Sequence, residues 1–171
     1  LIESFAPLAG NDARVLILGS MPGRASLDAQ QYYAYAHNGF WPIMAELVGF
    51  DLTADYSARC AALIEAGVAV WDVLKYCERE GSLDASIVEN SIVANDFASF
   101  FEQHGRIRHV FFNGAKAEAS YRRYVLPTLD GTASELPMMR LPSTSPAHAA
   151  MNLDNKREHW RAITNVLQGD P

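Results

Sequence analysis

Four short apolar runs, each stopping abruptly at a turn, constrain this chain more than any other feature. "RVLILG" (14–19), "VAVWDVL" (68–74) and "HVFFNG" (109–114) are nearly continuous in β-branched, aliphatic and aromatic residues, and "MMRL" (138–141) is a weaker fourth. Strands of a parallel sheet are covered on both faces, so they read as unbroken apolar runs rather than as alternations. Helical patterns fill the intervals. "FWPIMAELVGF" and "DYSARCAALIEAG" precede the second run, and "NDFASFFEQH", with Asn95 as its expected N-cap, precedes the third. "AKAEASYRRYV" follows the third, and "NKREHWRAITNVLQ" closes the chain, with Asn155 as expected cap and Gly169 as stop. Strand–helix alternation of this kind implies an α/β fold: one domain over residues 1–171, with a central, mainly parallel four-stranded sheet flanked by helices on both faces.

The chain is long enough for one sizeable core and short for two, and no repeat, low-complexity tract or linker divides it. Its 49% apolar and 20% charged residues are those of an ordinary globular protein. No apolar run approaches the ~20 residues that span a bilayer. "LIESFAPLAGND" lacks the basic-then-apolar order of a signal peptide, so a cytoplasmic monomer away from membranes is expected. Cys60 and Cys77 are too few for a four-thiolate cluster, and Cys60 falls in a helical pattern that buries it. His104, His109 and His159 show no ligand spacing, so neither a metal nor another cofactor is expected. The net charge of −6 weighs against a large nonspecific nucleic-acid surface. A local basic face stays open, because Arg122, Arg123, Arg140, Lys156, Arg157 and Arg161 crowd the last third.

Ligands on open parallel sheets bind beyond the carboxyl ends of the strands. The segments there are "GSMPGRAS", "WDVLKYC", "FNGAK" and "LPSTSPAHA", each expected as a short polar loop. "GSMPG" has neither the Lys-Ser/Thr of a phosphate loop nor the spacing of a nucleophile elbow. Its glycines allow a close backbone approach, and a structural turn and a ligand loop remain equally open. "LPSTSPAHA" brackets three hydroxyls between two prolines, which suits either phosphate contact or a locally bonded turn. In "QQYYAYAHNGFW", Phe40 and Trp41 follow core spacing, as do Trp71 and Trp160 elsewhere.

"LILGSMPG", "YYAYAHNGFW", "WDVL", "FNG" and "LPSTSPAHA", in that order, resemble the uracil-DNA glycosylase superfamily over roughly residues 14–149. In particular the chain is similar to the branch called hypoxanthine-DNA (deoxyinosine) glycosylase, beside the mismatch-specific uracil and thymine glycosylases. The resemblance implies a monofunctional DNA glycosylase of base excision repair that acts on double-stranded DNA containing a deaminated base. Mismatch-specific relatives hold the attacking water on an Asn of the first loop, where this chain has Met21. In the hypoxanthine branch that amide matches Asn38, although Tyr35-Ala36 replaces the branch's His-Pro. Tyr33 matches the aromatic that stacks on the extruded base, with Gly19 and Ser20 beside it in the base pocket. The segment holding Pro142, Ser143, Thr144, Ser145, Pro146 and His148 matches the loop that grips the DNA strand.

The residue types suit this chemistry. A flipped base is read by stacking and by hydrogen bonds to its edge. A neutral Asn suffices to orient water at an oxocarbenium-like sugar. Asn113 offers donor and acceptor to the base edge, and Asp72 is either a second edge group or a helix cap. None of Lys75, Lys116 and Lys156 is an evident amine nucleophile, which favours water. "EREGSLDAS" (78–86) also resembles the family but carries no assignable role. Hypoxanthine is the expected base. Uracil opposite guanine, a noncatalytic lesion-binding module and a nucleoside- or nucleotide-processing enzyme are the alternatives.

Overall fold

A computed structural model describes residues 1–169. In chain order the elements are β1 (Ile2–Glu3), β2 (Val15–Gly19), α1 (Arg24–Ala29), α2 (Phe40–Val48), α3 (Tyr56–Glu65), β3 (Val68–Asp72), β4 (Leu74–Cys77), β5 (Val93–Ala94), α4 (Phe97–Gln103), β6 (His109–Asn113), α5 (Ala115–Ser120), α6 (Gly131–Ser134), β7 (Met138–Leu141) and α7 (Leu153–Gln168). The four apolar runs form one sheet in the order β3-β2-β6-β7, with every neighbouring pair parallel. Every residue of β2 and β3 is buried.

Alternate strand residues serve opposite faces. Val15, Ile17, Val68, Val70 and Phe111 pack with Phe40, Ile43 and Met44 of α2, Leu63 of α3, and Trp160 and Ile163 of α7. Leu16, Leu18, Ala69, Trp71, Val110 and Phe112 pack with Phe97, Phe100 and Phe101 of α4 and Ala117 of α5. Helices therefore cover both faces, as the sequence pattern requires. Each large side chain removed from water contributes roughly 1.5–3 kcal/mol to holding these layers together. Phe40, Trp41, Trp71 and Trp160 are core residues as expected, and both cysteines are free and buried.

The run 68–74 does not end in a loop. Beyond Asp72, the Val73 and Leu74 N–H groups donate to the carbonyls of Gly19 and Ser20, and the chain stays extended as β4. There it joins β1 and β5 in a second, antiparallel sheet, and with a register shift between Leu74 and Tyr76 both Leu74 and Cys77 are buried in the α4–α5 side of the core. The expected loop "WDVLKYC" is thus mostly strand.

Two expected caps are displaced. Asp96, not Asn95, caps α4 by accepting from Ser99 N–H at 3.1 Å. The Asn95 amide instead donates to the Asp72 carbonyl at 2.8 Å. Asn152, not Asn155, caps α7, accepting from Asn155 N–H at 2.8 Å, and Gly169 is its C-cap.

Candidate functional site

The register places Gly19 directly opposite Asp72 of β3, and on its other side Leu18 is opposite Phe112, so that Asn113 is the next residue along β6. The carboxyl edge of the sheet therefore reads Asp72, Gly19, Asn113 across three adjacent strands. Gly19, having no side chain, lets two neighbouring side chains close over the centre of this row. A Cβ there would stand 2.5 Å from Asp72 Oδ1 and 3.0 Å from the Tyr33 hydroxyl. The space over Gly19 is therefore taken up by the Asp72 carboxyl and the Tyr33 hydroxyl, a close approach that a side chain at this position would push apart. Above the row lies a cavity of about 1140 Å³. Of the twelve candidate site residues named from the sequence, only Pro142 does not line it.

Tyr33 is held in the left-handed region at φ 54°, a conformation uncommon for a residue with a side chain and concentrated at functional sites. Its ring stacks on Phe40, with centroids 4.0 Å apart and planes 17° from parallel. Phe40 backs one face of the ring, and Tyr33 lines the cavity. Burial, then the nearby Asp72 carboxylate, pushes the Tyr33 phenol well above its ordinary range, so it stays protonated. Asn38 stands at the entrance to α2. Its N–H donates to the Tyr35 carbonyl at 2.9 Å, and its Oδ1 accepts from Phe40 N–H at 2.9 Å. These turn bonds hold Asn38 where the His-Pro is missing. One Oδ1 lone pair and the side-chain NH₂ have no partner among the described residues.

Asn113 is more heavily committed than the sequence implied. Its Nδ2 donates to the Tyr33 hydroxyl at 3.2 Å and to Thr144 Oγ1 at 3.0 Å. Its Oδ1 accepts from Thr144 N–H at 2.9 Å, which fixes the orientation of the amide. One Oδ1 lone pair remains for a ligand. Thr144 lines the cavity but is only 2% exposed, and it joins the loop to β6 while its carbonyl takes the Gly39 N–H at 2.9 Å. The Pro142 carbonyl accepts from Trp160 Nε1 at 2.9 Å, so Pro142 faces α7 rather than the cavity. Ser143, Ser145, Pro146 and His148 remain on the cavity side.

Sequence reasoning missed what holds this loop. Lys156, counted there among the surface cations, is 5% exposed and donates from Nζ to the Ser145 carbonyl at 3.0 Å. Burial lowers its pKa. Lys156 and Trp160 lie four residues apart on one face of α7 and fasten both ends of the loop, a spacing that was visible in the sequence.

The segment 78–86 forms the opposite wall. Ser82, Leu83 and Asp84 line the cavity, and Arg24 N–H donates to Ser82 Oγ at 2.9 Å. Ser20 Oγ donates to Asp84 Oδ1 at 2.5 Å, so this hydroxyl is committed to the wall. Arg79 donates to the carbonyls of Pro22 and Gly81 at 2.8 and 2.9 Å. Asp72 caps no helix: it is 4% exposed, and its Oδ2 is buried with no partner among the described residues. Burial, followed by the Asp84 carboxylate, raises its pKa to about 7, and Arg79 offsets part of that. Lys116 also lines the cavity, but Glu89 accepts from its Nζ at 2.5 Å. Among the described residues no cluster of His, Cys, Asp and Glu could hold a metal ion, and no helix is long and apolar enough to cross a membrane.

The site thus presents an aromatic wall, a glycine strand end closely covered by Asp72 and Tyr33, two amides with spare capacity and a buried carboxyl whose pKa is raised to about 7. Comparison with known proteins agrees with that chemistry. Residues 7–168 match the family model of the uracil DNA glycosylase superfamily. A hypoxanthine DNA glycosylase of Methanosarcina acetivorans is 33% identical over 162 residues, covering 94% of this chain and 96% of the relative. One of Methanosarcina barkeri is 34% identical over 116 residues, covering 67% of this chain and 72% of the relative. The solution NMR structure of a Methanosarcina acetivorans protein, described provisionally as a uracil DNA glycosylase, superposes with a TM-score of 0.80 at 30% identity over 98% of each chain.

Proposed function

This chain belongs to the uracil DNA glycosylase superfamily and is a DNA glycosylase, a hydrolase of N-glycosyl bonds, and we propose that it removes hypoxanthine from deaminated duplex DNA as a monofunctional enzyme of base excision repair. The observation that carries this reading is the row Asp72, Gly19, Asn113 beneath Tyr33. Two strand spacings, roughly 10 Å, separate the polar groups on either side of the glycine. A purine lowered edge-first between them meets hydrogen-bonding groups on both flanks and an aromatic face alongside.

In this reading Tyr33, backed by Phe40, stacks on the flipped base. The free Oδ1 lone pair of Asn113 accepts hypoxanthine N1–H, and Asp72 faces the other side of the base. Asn38 uses its spare lone pair to orient the attacking water, while its bond to Phe40 N–H fixes the amide plane. Ser143, Ser145 and His148 meet the DNA backbone, on a loop stiffened by Pro142 and Pro146 and tied to α7 by Lys156 and Trp160. Water is the nucleophile: Lys116 is paired with Glu89, and Lys156 lies beneath the loop. The enzyme works as a monomer.

The test is the identity of the base released, by mass spectrometry, from duplexes carrying one inosine, one uracil opposite guanine, or no lesion. Hypoxanthine release with alkali-labile strands is expected. Release of uracil alone would reassign the substrate. Lesion binding without release would mark a noncatalytic module, and cleavage of free nucleosides only would mark a nucleoside-processing enzyme.

A further inference from the structure

Two features have no part in stacking, water positioning or backbone contact: the unpartnered carboxyl of Asp72, and the segment 78–86 with its second carboxylate. Asp72 sits on the floor of the cavity with Oδ2 out of reach of any donor among the described residues. An ionised carboxylate in that position has exchanged hydration for nothing, which is costly. A neutral carboxyl has no such cost and carries an O–H able to donate into the cavity. The surroundings favour the neutral form. Asp84, exposed on the opposite wall and steadied by the Ser20 hydroxyl at 2.5 Å, places a like charge near Asp72 that disfavours its ionisation. The phenols of Tyr32 and Tyr33 remain protonated beside it. Arg79, the one cation acting on it among the described residues, spends Nε and Nη2 on backbone carbonyls, and its buried Nη1 makes no hydrogen bond to Asp72.

We propose that Asp72 is the general acid of the reaction, delivering its proton to N7 of the flipped hypoxanthine as the C1′–N9 bond breaks, and that Asp84, held by Ser20, is the positioning residue that keeps that proton in place. This rests on the hypoxanthine reading above and deepens it. The step balances. The electron pair of C1′–N9 passes into the imidazole ring, N7 takes the Asp72 proton, and hypoxanthine leaves neutral. The water at Asn38 gives its oxygen to C1′ and its proton to solvent, from which Asp72 is reprotonated. Paired carboxyls do comparable work in O-glycoside hydrolysis, where a raised acid protonates the leaving group. Uracil has no unprotonated ring nitrogen to take such a proton, so the acid also favours the purine.

The experiment is single-turnover excision from inosine duplexes at pH 5.5 to 9, for wild type, Asp72→Asn and Asp84→Asn, beside duplexes carrying 7-deaza-inosine, which lacks the N7 acceptor. The wild-type rate on inosine should fall as pH rises through about 7, where Asp72 loses its proton. Asp72→Asn should be slower by roughly 100-fold at pH 6, within the usual range for a lost general acid, with that falling limb gone. Asp84→Asn should remain active at pH 6 and move the fall to lower pH. The 7-deaza duplex should slow wild type by a similar factor and be indifferent to Asp72→Asn. Wild-type cleavage of 7-deaza-inosine as fast as inosine, or an Asp72→Asn rate within threefold of wild type at pH 6, would overturn the proposal. If wild type releases no hypoxanthine at any pH, the substrate reading itself has failed.

Discussion

Asp72 and Asn113 occupy equivalent places, one on each side of Gly19 at the same edge of the same sheet. Their surroundings are opposite. Asn113 spends both amide hydrogens and one lone pair on Tyr33 and Thr144, locking β6 to the loop at 143–146. Asp72 has a buried oxygen with no partner among the described residues. A polar group bonded into its surroundings stabilises the scaffold, whereas a buried one without a partner carries a cost that calls for an explanation, here its part in the reaction. The contrast divides the pocket into a braced side and a reactive side.

Stability measurements can break that division. The largest effect belongs to Asp72. Its pKa is about 7 in the fold against the ordinary 3.8, so between those values only the folded chain holds the proton, and stability declines as pH rises. The full loss, reached above pH 7, is on the order of 4 kcal/mol at most. Asp72→Asn removes this dependence. Urea denaturation should show the variant gaining on wild type from pH 4 to 7 and levelling off beyond; a constant difference would mean that Asp72 is not buried as a proton-holding group.

Asn113→Ala acts in the other direction. It strands the Thr144 N–H and should cost roughly 2–3 kcal/mol, with little dependence on pH, read from the same denaturation curves. Thr144→Val removes one acceptor from Asn113 and should cost about 1 kcal/mol; a neutral result would show that the loop does not need the bond. Glu118→Gln sets the floor. Its partners Arg122 and Arg140 are held at 3.4 and 3.6 Å on the surface, and the loss in Tm should correspond to less than about 0.5 kcal/mol.

Much of this was legible in the chain itself. The strands Val15–Gly19 and His109–Asn113 follow from apolar runs of the right length, because burial on both faces leaves no other pattern. Met138–Leu141 is an edge strand with Met139 and Arg140 exposed, which is why its run was the weakest. The glycine at the end of β2 and the polar residues ending β3 and β6 located the pocket by the same logic. Hydrogen-bond commitment was not legible. Thr144 reads as one of three hydroxyls in a polar loop, and only the tertiary pairing with Asn113 turns it inward. Lys156 reads as one of several cations on a helix, and a helical count alone does not say which face the loop will cover. The role of 78–86 was hidden for the same reason: Asp84 acquires meaning only when the segment folds back across from Ser20. Caps misplaced by one residue at α4 and three at α7 show the usual limit, since neighbouring Asn and Asp residues compete for one cap position.

The account as a whole turns on Asn38, whose amide is half fixed by Phe40 N–H and half free. The direct measurement is single-turnover release of hypoxanthine by Asn38→Ala, with duplex affinity and thermal unfolding measured on the same preparation. A loss of roughly 10²–10³-fold in rate, the size expected when one positioned polar group leaves a transition state, with affinity within about threefold and a folded protein, is the predicted result. A near-normal rate would contradict the assignment of Asn38 as the holder of the attacking water.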